Sequence, residues 1–167
     1  STKLVNERIR ASRSAAPIIV SIAKTNSAAN CDDESGVLDY VGSFQQIAKQ
    51  EKVAMIEINI SCPNAFGGEP FTTPERLEKL LQALEEVPCS KPAVVKMPIN
   101  LAWSEFQALL DIILRHRVAG VTVGNLNKDR GSDKIHDQIP AGLKGGISGK
   151  PTYDLCNELI SKTYQYC

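Results

Sequence analysis

Residues 53–64 read Val-Ala-Met-Ile-Glu-Ile-Asn-Ile-Ser-Cys-Pro-Asn. Ile56, Ile58 and Ile60 alternate with Met55, Glu57, Asn59 and Ser61, the two-residue period of a strand whose faces meet different surroundings. A strand over Val53–Ser61 would send the isoleucines to a helix layer and turn Glu57 and Asn59 to the opposite interior. A carboxylate held there is costly unless it is paired. Lys96, on the next predicted strand, is the expected partner.

Three more apolar runs flank this one: Ile18–Ala23, Ala93–Met97 and Val118–Gly124. All are rich in Val and Ile, as strands covered on both faces should be. Helical periodicity fills the intervals. Val37, Leu38, Val41, Phe44 and Ala48 form one stripe, and Leu77, Leu80, Leu81 and Leu84 a second. Phe106, Leu109, Leu110, Ile113 and Leu114 form a third, and Leu155, Leu159 and Ile160 mark the last. Leu4, Val5 and Ile9 predict a helix before the first strand. Thr73-Pro74-Glu75 offers an N-cap, a proline at the first helical position and a first-turn acid. Ser104-Glu105 and Lys150-Pro151 open the later helices. Such alternation implies parallel strands joined by right-handed crossovers. A doubly wound sheet and a barrel segment both satisfy it. The glycines of Gly145-Gly146-Ile147-Ser148-Gly149 do not follow G-x-G-x-x-G and come after a long loop rather than a strand, so a dinucleotide fold gains little from them.

The 167 residues suffice for one core, and no low-complexity linker divides them. Equal numbers of acidic and basic side chains, with no basic stripe, give no case for nucleic acid or an anionic membrane surface. Ala15–Ala23, the longest apolar stretch, falls well short of the ~20 residues that cross a bilayer. Five cysteines without paired short spacing fit neither a disulfide framework nor a metal site and point to a reducing cytoplasm.

Polar residues gather where the predicted strands end: Ser21 and Lys24, then Asn59 to Asn64, then Lys96, then Asn125. In parallel α/β proteins these carboxyl ends form the functional face. Singly, each residue has an ordinary explanation. A cysteine after a strand is usually a small inert hydrophobe, a strand-end lysine is usually solvated, and asparagines near Pro or Gly mostly form turns. Their recurrence at successive strand ends favours a site for a flat, heteroatom-rich ligand.

Glu57 to Asn64, EINISCPN, resembles the FMN-dependent dihydroorotate dehydrogenase family. Val95-Lys96-Met97-Pro98, the segment Gly120–Asn125 with Asp129-Arg130, and KGGISGKP at Lys144–Pro151 are similar to later family motifs in the same order. The resemblance implies part of a (β/α)8 TIM barrel, about four parallel βα units equivalent to the family's strands three to six, forming one partial domain over residues 1–167. It implies oxidation of (S)-dihydroorotate to orotate in pyrimidine biosynthesis, with FMN as hydride acceptor. Cys62 takes the place of the base that removes the C5 proton. Asn59, Asn64 and Asn125 match amides that bind the substrate. Lys96 matches the lysine at the flavin, and Ser21, Asn59 and Gly124 fall beside the flavin as well. Gly145, Gly146 and Gly149 match a loop whose backbone approaches FMN.

The resemblance also has departures. Cys at position 62 is the base of the soluble classes, whereas the quinone-using class has Ser. Asn125–Arg130 and KGGISGKP nevertheless look closer to the quinone-using class, although Gly124 and Leu126 stand where that class has threonines. The second electron acceptor is therefore open among a quinone, fumarate and NAD through a partner subunit, and homo-oligomerisation is open too. A cytoplasmic protein is expected, with peripheral membrane association if a quinone is used. The family's first two and last two strands, including its FMN phosphate loops, have no counterpart here. The chain is expected to be the central part of a longer polypeptide and, by itself, to bind FMN weakly or not at all. Alternatives are a dihydropyrimidine dehydrogenase-like or dihydrouridine synthase-like flavoenzyme, or a non-catalytic half-barrel.

Overall fold

A computed structural model describes residues 2–27, 30, 32–62, 71–136, 138–140, 142 and 145–167. Asn64, Cys31 and Lys144 lie outside these. Four strands, β1 (Ile18–Ala23), β2 (Val53–Asn59), β3 (Ala93–Met97) and β4 (Gly120–Val123), alternate with helices α1 (Thr2–Ala11), α2 (Asp33–Ala48), α3 (Pro74–Glu85), α4 (Trp103–Ile113) and α5 (Tyr153–Tyr166).

All neighbouring strands pair in parallel, and their spatial order is their chain order. A doubly wound sheet reverses its order part-way along, and this one does not. Helices α2, α3 and α4 pack side by side against the sheet. The architecture is therefore four parallel βα units in an open sheet, a segment of a TIM barrel.

Local chemistry explains the helix starts. Asp32 caps α2 by accepting from the Ser35 amide at 2.8 Å. Pro74 opens α3 with no side-chain bond from Thr73. The Glu105 carboxylate reaches back to the Ala102 amide at 2.9 Å at the start of α4. A 3₁₀ turn over Lys150–Thr152 leads into α5.

Ile56, Ile58, Val95 and Met97 are sealed beneath the helices together with Leu77, Leu80, Phe106 and Leu109. Burial of each such side chain contributes about 2 kcal/mol. The opposite face is polar and only half covered: Ser21 is exposed, and Glu57, Asn59, Lys96 and Thr122 are intermediate. The alternation read from residues 53–64 thus sorts the two faces as expected.

The expected stripes need correction. Leu38, Leu114, Ile160, Leu4 and Val5 are exposed, and α2 turns Tyr40 and Ile47 inward beside the expected Phe44. Two strands are also shorter than predicted, β2 stopping at Asn59 and β4 running only from Gly120 to Val123.

Candidate active site

Strand register brings the polar ends level. Asn59 pairs with Ala23 on one side and Lys96 on the other, and Lys96 pairs with Thr122. One layer lower, Ser21 pairs with Glu57, and Glu57 with Val94.

The lower layer overturns one expectation. Glu57 is not paired with Lys96. Its carboxylate accepts from the Ser21 hydroxyl at 2.7 Å and, across the width of β3, from the Thr122 hydroxyl at 2.9 Å. Two hydroxyl donors satisfy the carboxylate without a cation, and Lys96 turns upward to the strand ends.

There Lys96 Nζ donates to Asn125 Oδ1 at 3.1 Å. Asn125 Nδ2 donates to the Ser61 carbonyl, so both ends of that amide are assigned by their partners. Asn59 Oδ1 accepts from the Ser61 amide at 3.2 Å and the Ser61 hydroxyl at 3.3 Å. This side-chain-to-backbone turn pulls the chain out of the ladder. Ser61 is fully buried, and the next residue, Cys62, is half-buried with a free thiol. With its oxygen engaged, Asn59 can offer a ligand its Nδ2 donor.

Asn59, Cys62, Lys96, Gly124 and Asn125 line one open cleft of about 410 Å³ at the carboxyl ends of the strands. Residues from three separate strands and their loops thus converge as the strand-end pattern predicts. Ser21 lies lower, held by Glu57, and is not on the cleft wall. Asn64 falls outside the described residues.

The sequence pattern of the family described as Dihydroorotate dehydrogenase matches residues 2–167. The chain belongs to the dihydroorotate dehydrogenase family. A dihydroorotate dehydrogenase (quinone) from Acaryochloris marina is 31% identical over 132 residues, covering 76% of this chain and 35% of the relative. The equivalent protein from Rhodopseudomonas palustris strain BisA53 is 29% identical over 161 residues, covering 92% and 43% respectively. The ligand-free DHODH structure from Eimeria tenella superposes with a TM-score of 0.74 at 17% identity, over 99% of this chain and 51% of that one. The chain therefore spans between about a third and a half of the length of these family members.

The family's glycine segment is tied to the loop after β4. Asn127 and Ile147 form an antiparallel bridge, with amide-to-carbonyl distances of 2.8 and 2.7 Å, and Arg130 donates to the Gly145 carbonyl at 2.7 Å. A Cβ on Gly146 would lie 2.6 Å from Leu126 Cβ and 2.8 Å from the Asn127 carbonyl oxygen. Close approach of two protein loops therefore already requires glycine at 146. Gly145 and Gly149 have φ of 101° and 80°, where a side chain is strained. These three glycines do not line the cleft, but Ser148 between them does.

Sequence reasoning missed Ser148 and Leu126 on the cleft wall, and Thr122 and Asn127 behind it. Ser148 was visible inside the glycine motif. Asn127, 8% exposed, accepts from Asn100 Nδ2 at 2.6 Å and the Asp129 amide at 2.8 Å, a loop-to-loop junction with no periodic signal. Lys24, grouped by the sequence with the strand-end polar residues, does not line the cleft: it is 5% exposed and donates to the Asn30 carbonyl at 2.8 Å. Among the described residues there is no cluster able to hold a metal, and no helix is long and apolar enough to cross a membrane.

Proposed function

We propose that the chain carries the substrate-facing core of an enzyme that oxidises (S)-dihydroorotate to orotate with FMN as hydride acceptor. One observation supports this above the others: a thiol, two amides and an ammonium group share a single strand-end cleft. The cleft's volume lies in the range typical of small-ligand sites. Its donor set suits a planar ring carrying alternating N–H and C=O groups, because amides can match both. These residues fit a flavin with a pyrimidine stacked on it.

Cys62 acts as the base, accepting the C5 proton in its thiolate form. Asn59 and Asn125 orient the substrate, with Asn64 in the same role. Lys96, Gly124 and, through Ser148, the glycine loop at 145–149 hold the cofactor at the cleft wall, with Ser21 one layer below it. Lys96 is a fixed cation at the wall and favours negative charge developing beside it. FMN, when bound, supplies the two-electron acceptor for the hydride leaving C6. The names of the quinone-type relatives favour a quinone as second acceptor, with the protein placed at the cytoplasmic side of a membrane.

The test uses the longest natural form of the polypeptide. Cys62→Ala should abolish dihydroorotate oxidation near neutral pH while flavin fluorescence is still quenched on binding. Normal turnover by that variant would remove Cys62 from the role.

A further inference from the structure

Two consecutive residues of α2 take over hydrogen bonding where β1 and β2 stop. Asp39 accepts from the Thr25 amide at 2.6 Å and from the Thr25 hydroxyl at 2.9 Å. The Tyr40 hydroxyl donates to the Asn59 carbonyl at 2.6 Å. Ala23–Asn59 is the last residue pair of the β1–β2 ladder. Two neighbouring side chains from the helix layer therefore take up the strand ends, Asp39 just beyond β1 and Tyr40 at the end of β2.

The same ring also meets the chain beyond Cys62. Phe71 packs edge-on against Tyr40, with centroids 5.5 Å apart and planes at 90°. Both rings are buried, and Gly36 leaves room for Phe71, since a Cβ there would lie 3.1 Å from its ring. Phe71 thereby seats the ring whose hydroxyl holds Asn59.

We propose that Tyr40 is a positioning residue for Cys62, fixing the thiol at the cleft by holding Asn59, whose side chain in turn binds the amide of Ser61 beside Cys62. Significance for catalysis rests on the reading of Cys62 as the base, but the placement of the thiol can be measured independently. Burial raises the phenol above its ordinary range. The hydroxyl therefore remains a donor to Asn59 throughout the neutral range. Tyr40→Phe would remove that donor and leave the ring contact with Phe71 in place.

The experiment alkylates the full chain with iodoacetamide and follows each cysteine by peptide mass spectrometry across pH. Cys89, Cys156 and Cys167 serve as internal controls. In Tyr40→Phe, the Cys62 rate should rise by about three- to tenfold, the factor equivalent to the net free energy of one hydrogen bond. The pH midpoint of its alkylation should move, and the control thiols should keep theirs. A melting temperature that falls while the ratio of Cys62 to control rates stays at the wild-type value would overturn the proposal and leave Tyr40 a merely structural residue. If Tyr40→Phe fails to fold, Phe71→Leu decides. That variant loosens the seat of the Tyr40 ring and should still raise the Cys62 rate relative to the controls, and an unchanged ratio would overturn the proposal. Neither outcome depends on FMN binding, so a failure of the dehydrogenase reading is separately visible.

Discussion

Lys96 and Asn125 meet across the ends of β3 and β4, ammonium to side-chain oxygen, at 3.1 Å. Because Lys96 can only donate, Asn125 must present its oxygen there and its NH₂ group to the Ser61 carbonyl. One amide thus sets the direction of the cation and steadies the residue before Cys62.

Asn125→Asp keeps an acceptor for Lys96 but faces the Ser61 carbonyl with a second oxygen. Loss of that donor should destabilise the fold by about 1–3 kcal/mol at neutral pH, read as a lower urea midpoint. Asn125→Ala removes both bonds. Wild-type midpoints in both variants would show that the Lys96–Asn125–Ser61 chain carries no stabilisation.

Glu57 is held by Ser21 and Thr122 and not by Lys96. A double-mutant cycle separates the two arrangements. Glu57→Gln combined with Thr122→Val should show a coupling of about 1 kcal/mol, the net value of a buried hydrogen bond. Coupling of Glu57→Gln to Lys96→Met should be smaller. The reverse order would restore the ion pair that strand adjacency alone suggested.

That adjacency shows where sequence reading stops. The isoleucine alternation of residues 53–64 sorted the sheet faces because it depends only on the period of a strand. Which polar groups pair on the inner face depends on side-chain reach. Thr122 contacts Glu57 over an intervening strand, 65 residues away in the chain. The end of β2 is likewise set by capture of the Ser61 amide by Asn59 and of the Asn59 carbonyl by Tyr40. Neither event has a periodic signature. Tyr40 also sits at helical spacing from Val37 and Phe44, but the predicted stripe took Leu38, which is 64% exposed, and left Tyr40 out. The cleft residues themselves were legible because they cluster at strand ends and match family motifs. Ser148 and Leu126 reach the wall only through the pairing of Asn127 with Ile147, a contact between two irregular loops.

Gly146→Ala tests that loop pairing. Its new methyl would fall within 2.8 Å of both Leu126 Cβ and the Asn127 carbonyl oxygen, so backbone has to move. A loss of about 1–3 kcal/mol is expected, as for other overpacked sites. Amide exchange at Asn127 and Ile147 should accelerate as their mutual bonds break. Unaltered exchange at both amides would mean that the loops are not in register as described.

Acid stability should depend on Glu85. The Arg117 backbone amide donates to its carboxylate at 2.5 Å and is the main cause of a lowered pKa, with burial opposing and His116, 3.1 Å away, assisting. Because the folded value lies below the ordinary carboxylate value of 4.5, the unfolded chain binds the extra proton and stability rises with pH through that window. The contribution is complete above the unfolded value and disappears as pH falls through the folded one. Solvent reaches this surface, so its size should not exceed about 1 kcal/mol. Urea unfolding of wild type and Glu85→Gln should therefore differ most above the ordinary carboxylate value of 4.5 and converge in stronger acid. A difference that stays constant across this range would show that the carboxylate's charge is not what joins α3 to the turn before β4.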